Sequence, residues 1–202
     1  MWQTLQEELG PHGLSIIAVA IDNDVPAVRN WAAEAPGLTY AIDRDYTVAE
    51  RYGIVNVPAS VWIEHGRIVR PADTAMGDDR FRQFAKIDSA IHHDRLRAWV
   101  LRGERDVDDD AARDLIETPT PELQLARLHR RIAVELHDRD DRGGATEHLA
   151  AAAALAPNDW TIRRGSMPMN GVDPFGTEFF DFVGEWMAAG SPGYRLRTGR
   201  EQ

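Results

Sequence analysis

The fold is decided by one stretch, Tyr52-Gly53-Ile54-Val55-Asn56-Val57-Pro58-Ala59-Ser60-Val61-Trp62-Ile63, which continues as Glu64-His65-Gly66-Arg67-Ile68-Val69. Pro58 stands directly before an apolar, β-branched run. Because proline has no N–H for a strand ladder, it predicts the first residue of a strand. His65-Gly66 predicts a tight turn between residues 60–64 and 67–70. The stretch is therefore predicted to be a β-hairpin led by a proline.

The segments ahead of this hairpin predict alternating helices and strands. Residues 2–9 have the apolar spacing of a helix, and residues 14–21 form a nearly continuous apolar run. Such a run is typical of a parallel strand that is covered on both faces, so we expect an internal strand. A second helix, capped by residues 22–24, a short strand over 38–42 and a brief helix over 46–52 follow. The N-terminal side is therefore predicted to be α/β.

Five residues carry a resemblance to a known family: Tyr52, Gly53, Val57, Pro58 and Gly66. They fit a pattern of a short helix ending in Tyr-Gly, an apolar residue, a cis-proline and a hairpin with glycine in its turn. This pattern resembles the thioredoxin-like superfamily, in particular its TlpA/ResA-like redoxin branch. The resemblance covers residues 1–86. It implies a thiol–disulfide oxidoreductase that works through a Cys-x-x-Cys pair. The chain contains no cysteine, so it is expected to be redox-inactive, with no catalytic residue and no cofactor.

The resemblance also implies a central strand between residues 14–21 and the strand after Pro58. That strand and the cysteine motif would both lie upstream of Met1. Losing that strand would remove about four buried side chains at roughly 1.5–3 kcal/mol each. This loss is comparable with the whole stability of a domain, about 5–15 kcal/mol. Two explanations stay open: an N-terminally incomplete copy of a longer redoxin, or a fold rebuilt without its central strand. The first is favoured because the neighbouring segments are so recognisable.

The residue before the cis-proline offers its backbone to an extended substrate peptide in this family. The resemblance therefore implies substrate binding at Val57 and Pro58, with a protein or peptide partner at the cis-proline edge. In the alternative interpretation Pro58 simply begins a strand. A redox-dead binding module that uses this edge or the helical extension is a second functional hypothesis. A helical scaffold whose contacts lie in residues 119–190 is a third.

The pattern beyond the thioredoxin-like domain, residues 1–86, is helical. Residues 87–118 are predicted to be a helical linker, residues 119–190 a helical extension and residues 191–202 a flexible tail. Within the extension, Gly143-Gly144 separates two amphipathic helices that resemble one tetratricopeptide (TPR) unit. A single unit cannot bury its own face, so we expect this pair to pack against the thioredoxin-like part.

Composition and spacing exclude several function classes. The chain has 33 acidic and 23 basic residues, and the resulting net charge of −10 disfavours binding to nucleic acid. Neither a membrane span nor an export signal is visible, so cytoplasm is the expectation for the chain as it stands, with the compartment and oligomeric state left open. The seven histidines lack the spacing of a helix-borne ligand set, and Asp108–Asp110 lack that of a calcium loop, so no metal is predicted.

Overall fold

The computed structural model describes residues 1–21, 24–44, 46–75, 77–79, 82–85, 87–190 and 192. Their fold is mixed α/β, which confirms the predicted class at this level. The described residues divide into two compact units. The first contains Met1–Arg51 and Pro58–Leu115, and the second contains Tyr52–Val57 and the residues from Ile116 onward.

The first unit contains four strands and six helices among its described residues. They are α1 (Trp2–Leu9), β1 (Ile17–Ala20), α2 (Val25–Ala32), β2 (Thr39–Ile42), α3 (Thr47–Arg51), β3 (Ala59–Glu64), β4 (Arg67–Thr74), α4 (Arg82–Ala85), α5 (Ser89–Arg102) and α6 (Asp109–Leu115). β1 and β2 are parallel, and Ile17 lies opposite Thr39. β3 and β4 are antiparallel. Each of these strands pairs with one other described strand, which gives two separate two-stranded sheets.

The predicted hairpin is confirmed. Pro58 directly precedes β3, and its carbonyl accepts a hydrogen bond from the Ala75 N–H at 3.2 Å. His65 and Gly66 form the turn with φ angles of 49° and 76°, and two positive φ angles are what the favoured two-residue hairpin turn requires. β4 continues four residues beyond its predicted end. The register shifts around Pro71, and the bulge there means that the strand ladder does not need the N–H that proline lacks.

One hydrophobic core of the first unit joins α1, the β3–β4 hairpin and α5. Its buried members are Leu5 and Leu9 of α1, Trp62 of β3, Val69 of β4 and Leu96 of α5. Ile16, directly ahead of β1, packs against this cluster. Trp99 of α5 stacks on Trp62 with ring centroids 5.0 Å apart and planes at 11°. α5, whose residues fall in the segment predicted as a linker, is therefore part of the core.

The second unit is helical apart from its loops. It contains α7 (Pro121–Asp138), α8 (Arg142–Leu155), α9 (Trp160–Arg163) and α10 (Thr177–Ala188). Buried Ala126 and Ala152 share a cluster between α7 and α8, whereas α9 and α10 meet in an aromatic cluster around Trp160.

The glycine pair expected to separate two helices instead lies inside the first turn of α8. Asp141 caps this helix by accepting the Gly144 N–H at 3.0 Å. A Cβ added to Gly144 would lie 2.8 Å from Asp141 Oδ2 and 3.1 Å from Leu136 Cδ1. Gly144 therefore permits a close approach between cap and helix, and residues 139–141 form the connection between α7 and α8.

Candidate functional site

β1 lies at the edge of its sheet, in contrast to the internal position expected from its apolar run. The Thr39 N–H donates to the Ile16 carbonyl at 3.4 Å, and the Asp43 N–H donates to the Ala20 carbonyl at 2.8 Å. Because backbone directions alternate along a strand, the N–H and C=O groups of Ile17 and Val19 point away from β2. No other strand pairs with β1 in the described part of the chain. We call the outward backbone groups and side chains of Ile17 and Val19 the β1 edge.

The β1 edge is apolar and unprotected. Ile17 is 60% exposed and Val19 is 39% exposed. Residues 14–21 contain neither a charged residue nor a proline. Natural edge strands usually carry charges, prolines or bulges that prevent pairing with another chain. An edge without these features is suited to the addition of an extended strand.

Gln6 of α1 fixes the backbone that leads into β1. Its side-chain amide donates to the Leu14 carbonyl at 3.1 Å and accepts from the Ile16 N–H at 2.6 Å. One side chain thus satisfies two backbone groups of a partly buried segment. A Cβ on Gly10 would lie 2.8 Å from Gln6 Nε2, so the glycine leaves room for this amide. Sequence reasoning missed Gln6, because no pattern links a helical glutamine to a later strand.

The two predicted substrate-binding residues, Val57 and Pro58, are both exposed and stand directly before β3. Their role in peptide binding stays a prediction. In the second unit, the carbonyl of Val55 accepts the Trp160 N–H at 2.7 Å and the Thr161 N–H at 3.3 Å. The start of α9 therefore anchors the backbone two residues ahead of Val57.

The cap of α9 is a buried carboxylate. Asp159 is 5% exposed and accepts the N–H groups of Thr161 at 2.9 Å and Ile162 at 3.3 Å. Burial raises the pKa of Asp159, and the hydrogen bonds from Thr161 and Ile162 oppose that rise. The cap therefore holds the first turn of α9, from which the N–H groups of Trp160 and Thr161 donate to the Val55 carbonyl.

A buried ion-pair network lies against the β3–β4 hairpin. Arg70 is 1% exposed, and its Nη2 lies 3.2 Å from Oδ2 of the equally buried Asp73 and 3.2 Å from Oδ2 of Asp106. The guanidinium also lies 5.0 Å from the centroid of Trp62. Burial lowers the pKa of Arg70, whereas the charges of Asp106 and Asp73 raise it. Arg70 and Asp73 both lie on β4, whereas Asp106 follows α5, so the Arg70–Asp106 pair connects the hairpin to the segment after α5.

Ser60 and His92 form the closest approach to a catalytic pair in the described residues. Ser60 Oγ lies 3.2 Å from His92 Nε2. Burial, followed by the charge of Arg70, lowers the pKa of His92 to about 3, which makes it a weak general base at neutral pH. His92 Nδ1 has no hydrogen-bond partner among the described residues, so no carboxylate orients the ring as in a triad. We interpret this pair as structural.

No group of three His, Asp or Glu side chains that could hold a metal ion is found among the described residues. The helices that the structure describes are all too short or too polar to cross a membrane.

Comparison with known proteins found no matching family model, no matching curated protein and no matching solved structure. The interpretation of the β1 edge therefore rests on its geometry and chemistry.

Proposed function

We propose that this chain is a thioredoxin-like binding module, a member or fragment of the TlpA/ResA-like redoxin family of thiol–disulfide oxidoreductases. Without cysteine it cannot perform thiol–disulfide exchange. Its own function is to bind an extended, apolar polypeptide segment at the β1 edge. The partner adds one strand to the sheet of β1 and β2, and the contact is made through backbone hydrogen bonds and apolar side chains.

The exposure of Ile17 at an unprotected edge carries this proposal. Ile17 and Val19 offer two N–H and two C=O groups outward. Each hydrogen bond contributes about 1 kcal/mol and covering the exposed isoleucine contributes more, but lost translational and rotational freedom opposes these gains, so we expect a weak affinity, on the order of millimolar. The absence of charges from residues 14–21 favours a partner strand that is itself uncharged and apolar.

The arrangement of the first unit supports the family assignment. β1 and β2 form a parallel pair, and the β3–β4 hairpin shares one core with α1, α5 and Ile16, the residue directly ahead of β1. Pro58 stands directly before β3, which is the position that the resemblance gives to the cis-proline. A strand added to β1 would occupy the position that the family gives to its central strand, which makes the proposed binding mode consistent with the family assignment.

The direct test is the binding of a short, fluorescein-labelled peptide of alternating valine and threonine, followed by fluorescence anisotropy. We expect saturable binding by the full chain. The control peptide carries proline in place of alternate residues, because proline removes the N–H donors that strand addition needs. Equal binding of both peptides, or binding of neither, would contradict the proposal.

Contact through the helical extension is a second candidate function, favoured by one observation. α7 exposes an apolar stripe of Leu125, Leu128 and Ile132, which are 46%, 54% and 44% exposed. Their i, i+3 and i+7 spacing places them on one helix face, the pattern of a helix that binds another helix. Self-association detected by sedimentation, and abolished in Leu128→Lys, would support this candidate. A monomer at all concentrations would leave the stripe without this role.

A further inference from the structure

Two histidines face each other across the helix pair of the second unit. His129 lies on α7 and His148 on α8, and their Nδ1 atoms are 2.8 Å apart. The ring centroids are separated by 4.9 Å. Both side chains are half-buried, so the pair is held by the helices on one side and remains open to solvent on the other.

Small residues fix the spacing of this pair. On α7, Ala126 and Ala133 lie about one helical turn before and after His129. On α8, Ala145 and Ala152 lie about one turn before and after His148. All four alanines are almost completely buried. Alanine side chains allow two helices to approach closely, and the histidines are consequently presented from a rigid part of each helix rather than from a loop.

The two nitrogens are close enough together to bind the same metal ion. Imidazole nitrogens bind Zn²⁺, Cu²⁺ and Ni²⁺ at about 2.0 Å. Two such nitrogens in adjacent positions of a square-planar ion are about 2.8 Å apart, whereas in a tetrahedral ion they are about 3.3 Å apart. The 2.8 Å between the Nδ1 atoms of His129 and His148 is a hydrogen-bond distance, and once that bond is replaced both nitrogens lie within reach of one ion.

We propose that His129 and His148 form a two-histidine site for Cu²⁺. Both imidazoles bind through Nδ1 in their neutral form, which replaces the hydrogen bond between them, and water fills the remaining coordination positions. Cu²⁺ prefers square-planar nitrogen ligands and binds them more tightly than Ni²⁺ or Zn²⁺. Since the described residues supply no third ligand, the affinity is expected to be on the order of micromolar.

Metal titration of the full, untagged chain tests this site. Calorimetry should show one tight equivalent of Cu²⁺, weakened at least about tenfold in His129→Gln and in His148→Gln. His137→Gln is the matched control, because His137 also lies on α7 but contacts Arg142 rather than a second histidine. Unchanged Cu²⁺ affinity in both test variants, or an equal loss in His137→Gln, would overturn the proposal.

A spectroscopic measurement on the unchanged chain keeps the test independent of any folding defect. The electron paramagnetic resonance spectrum of the chain with one equivalent of Cu²⁺ should show a tetragonal centre coupled to two nitrogens. A spectrum with one nitrogen ligand, or with none, would also overturn the proposal.

Discussion

The side-chain amide of Gln6 bonds the N–H of Ile16 at 2.6 Å and so ties α1 to the residue that leads into β1. The same amide also bonds the Leu14 carbonyl at 3.1 Å. Because Ile16 packs against the core of the first unit, this contact connects the position of the β1 edge to α1. The edge is therefore held in place although β1 pairs with a single described strand.

Replacing Gln6 should weaken the first unit. In Gln6→Ala two partly buried backbone groups lose their partner, and we expect a loss of about 1–3 kcal/mol in the free energy of unfolding, measured by urea denaturation. Gln3→Ala is the control, because the Gln3 amide donates to the side chain of Glu7, an exposed residue on the same helix, and bonds no backbone group among the described residues. Equal losses in the two variants would show that Gln6 has no special role.

His92 should make the protein less stable as the pH falls. In the unfolded chain the pKa of His92 is near 6.5, whereas in the folded protein it is about 3. Between these values the unfolded state binds more protons, so the free energy of unfolding falls by up to about 1.4 kcal/mol per pH unit on acidification. His92→Gln should reduce this slope between pH 6.5 and 3, and the exposed His12→Gln should not. Identical slopes in wild type and His92→Gln would contradict the burial argument.

Asp159 should control the anchor of Val55. Asp159→Ala removes the cap of α9 at a cost of about 1–2 kcal/mol and should speed hydrogen exchange at the Trp160 amide, which donates to Val55. Asp159→Asn should cost less, because asparagine is also a good cap and carries no buried charge. Asp141→Ala, which removes the exposed cap of α8, should leave exchange at Trp160 unchanged. Faster exchange at Trp160 in that control would contradict a specific role for Asp159.

The sequence was sufficient to predict elements that are determined locally. Pro58 and the His65-Gly66 turn define the β3–β4 hairpin because proline and positive φ angles impose their own geometry. The position of β1 was not predictable in this way. An apolar run such as residues 14–21 indicates that a strand can be covered on both sides, but the run does not specify whether the neighbours that cover it are present.

The remaining features depend on contacts between distant residues. His129 and His148 are nineteen positions apart on different helices, so no local spacing pattern could pair them. Gly143-Gly144 suggested a break, yet the cap from Asp141 and the short connection after α7 place both glycines within α8. Gln6 was missed for the same reason: its partners are defined by how α1 packs beside β1.

The measurement that tests the central claim most directly is the affinity of the valine–threonine peptide for Ile17→Lys. Ile17 is 60% exposed, so a lysine there can be accommodated without loss of core packing, yet it places a charge on the β1 edge. The matched control is Ile91→Lys on α5, where the isoleucine is 38% exposed. Strand addition at β1 predicts at least about tenfold weaker binding to Ile17→Lys and wild-type binding to Ile91→Lys. Wild-type affinity in Ile17→Lys would contradict the account.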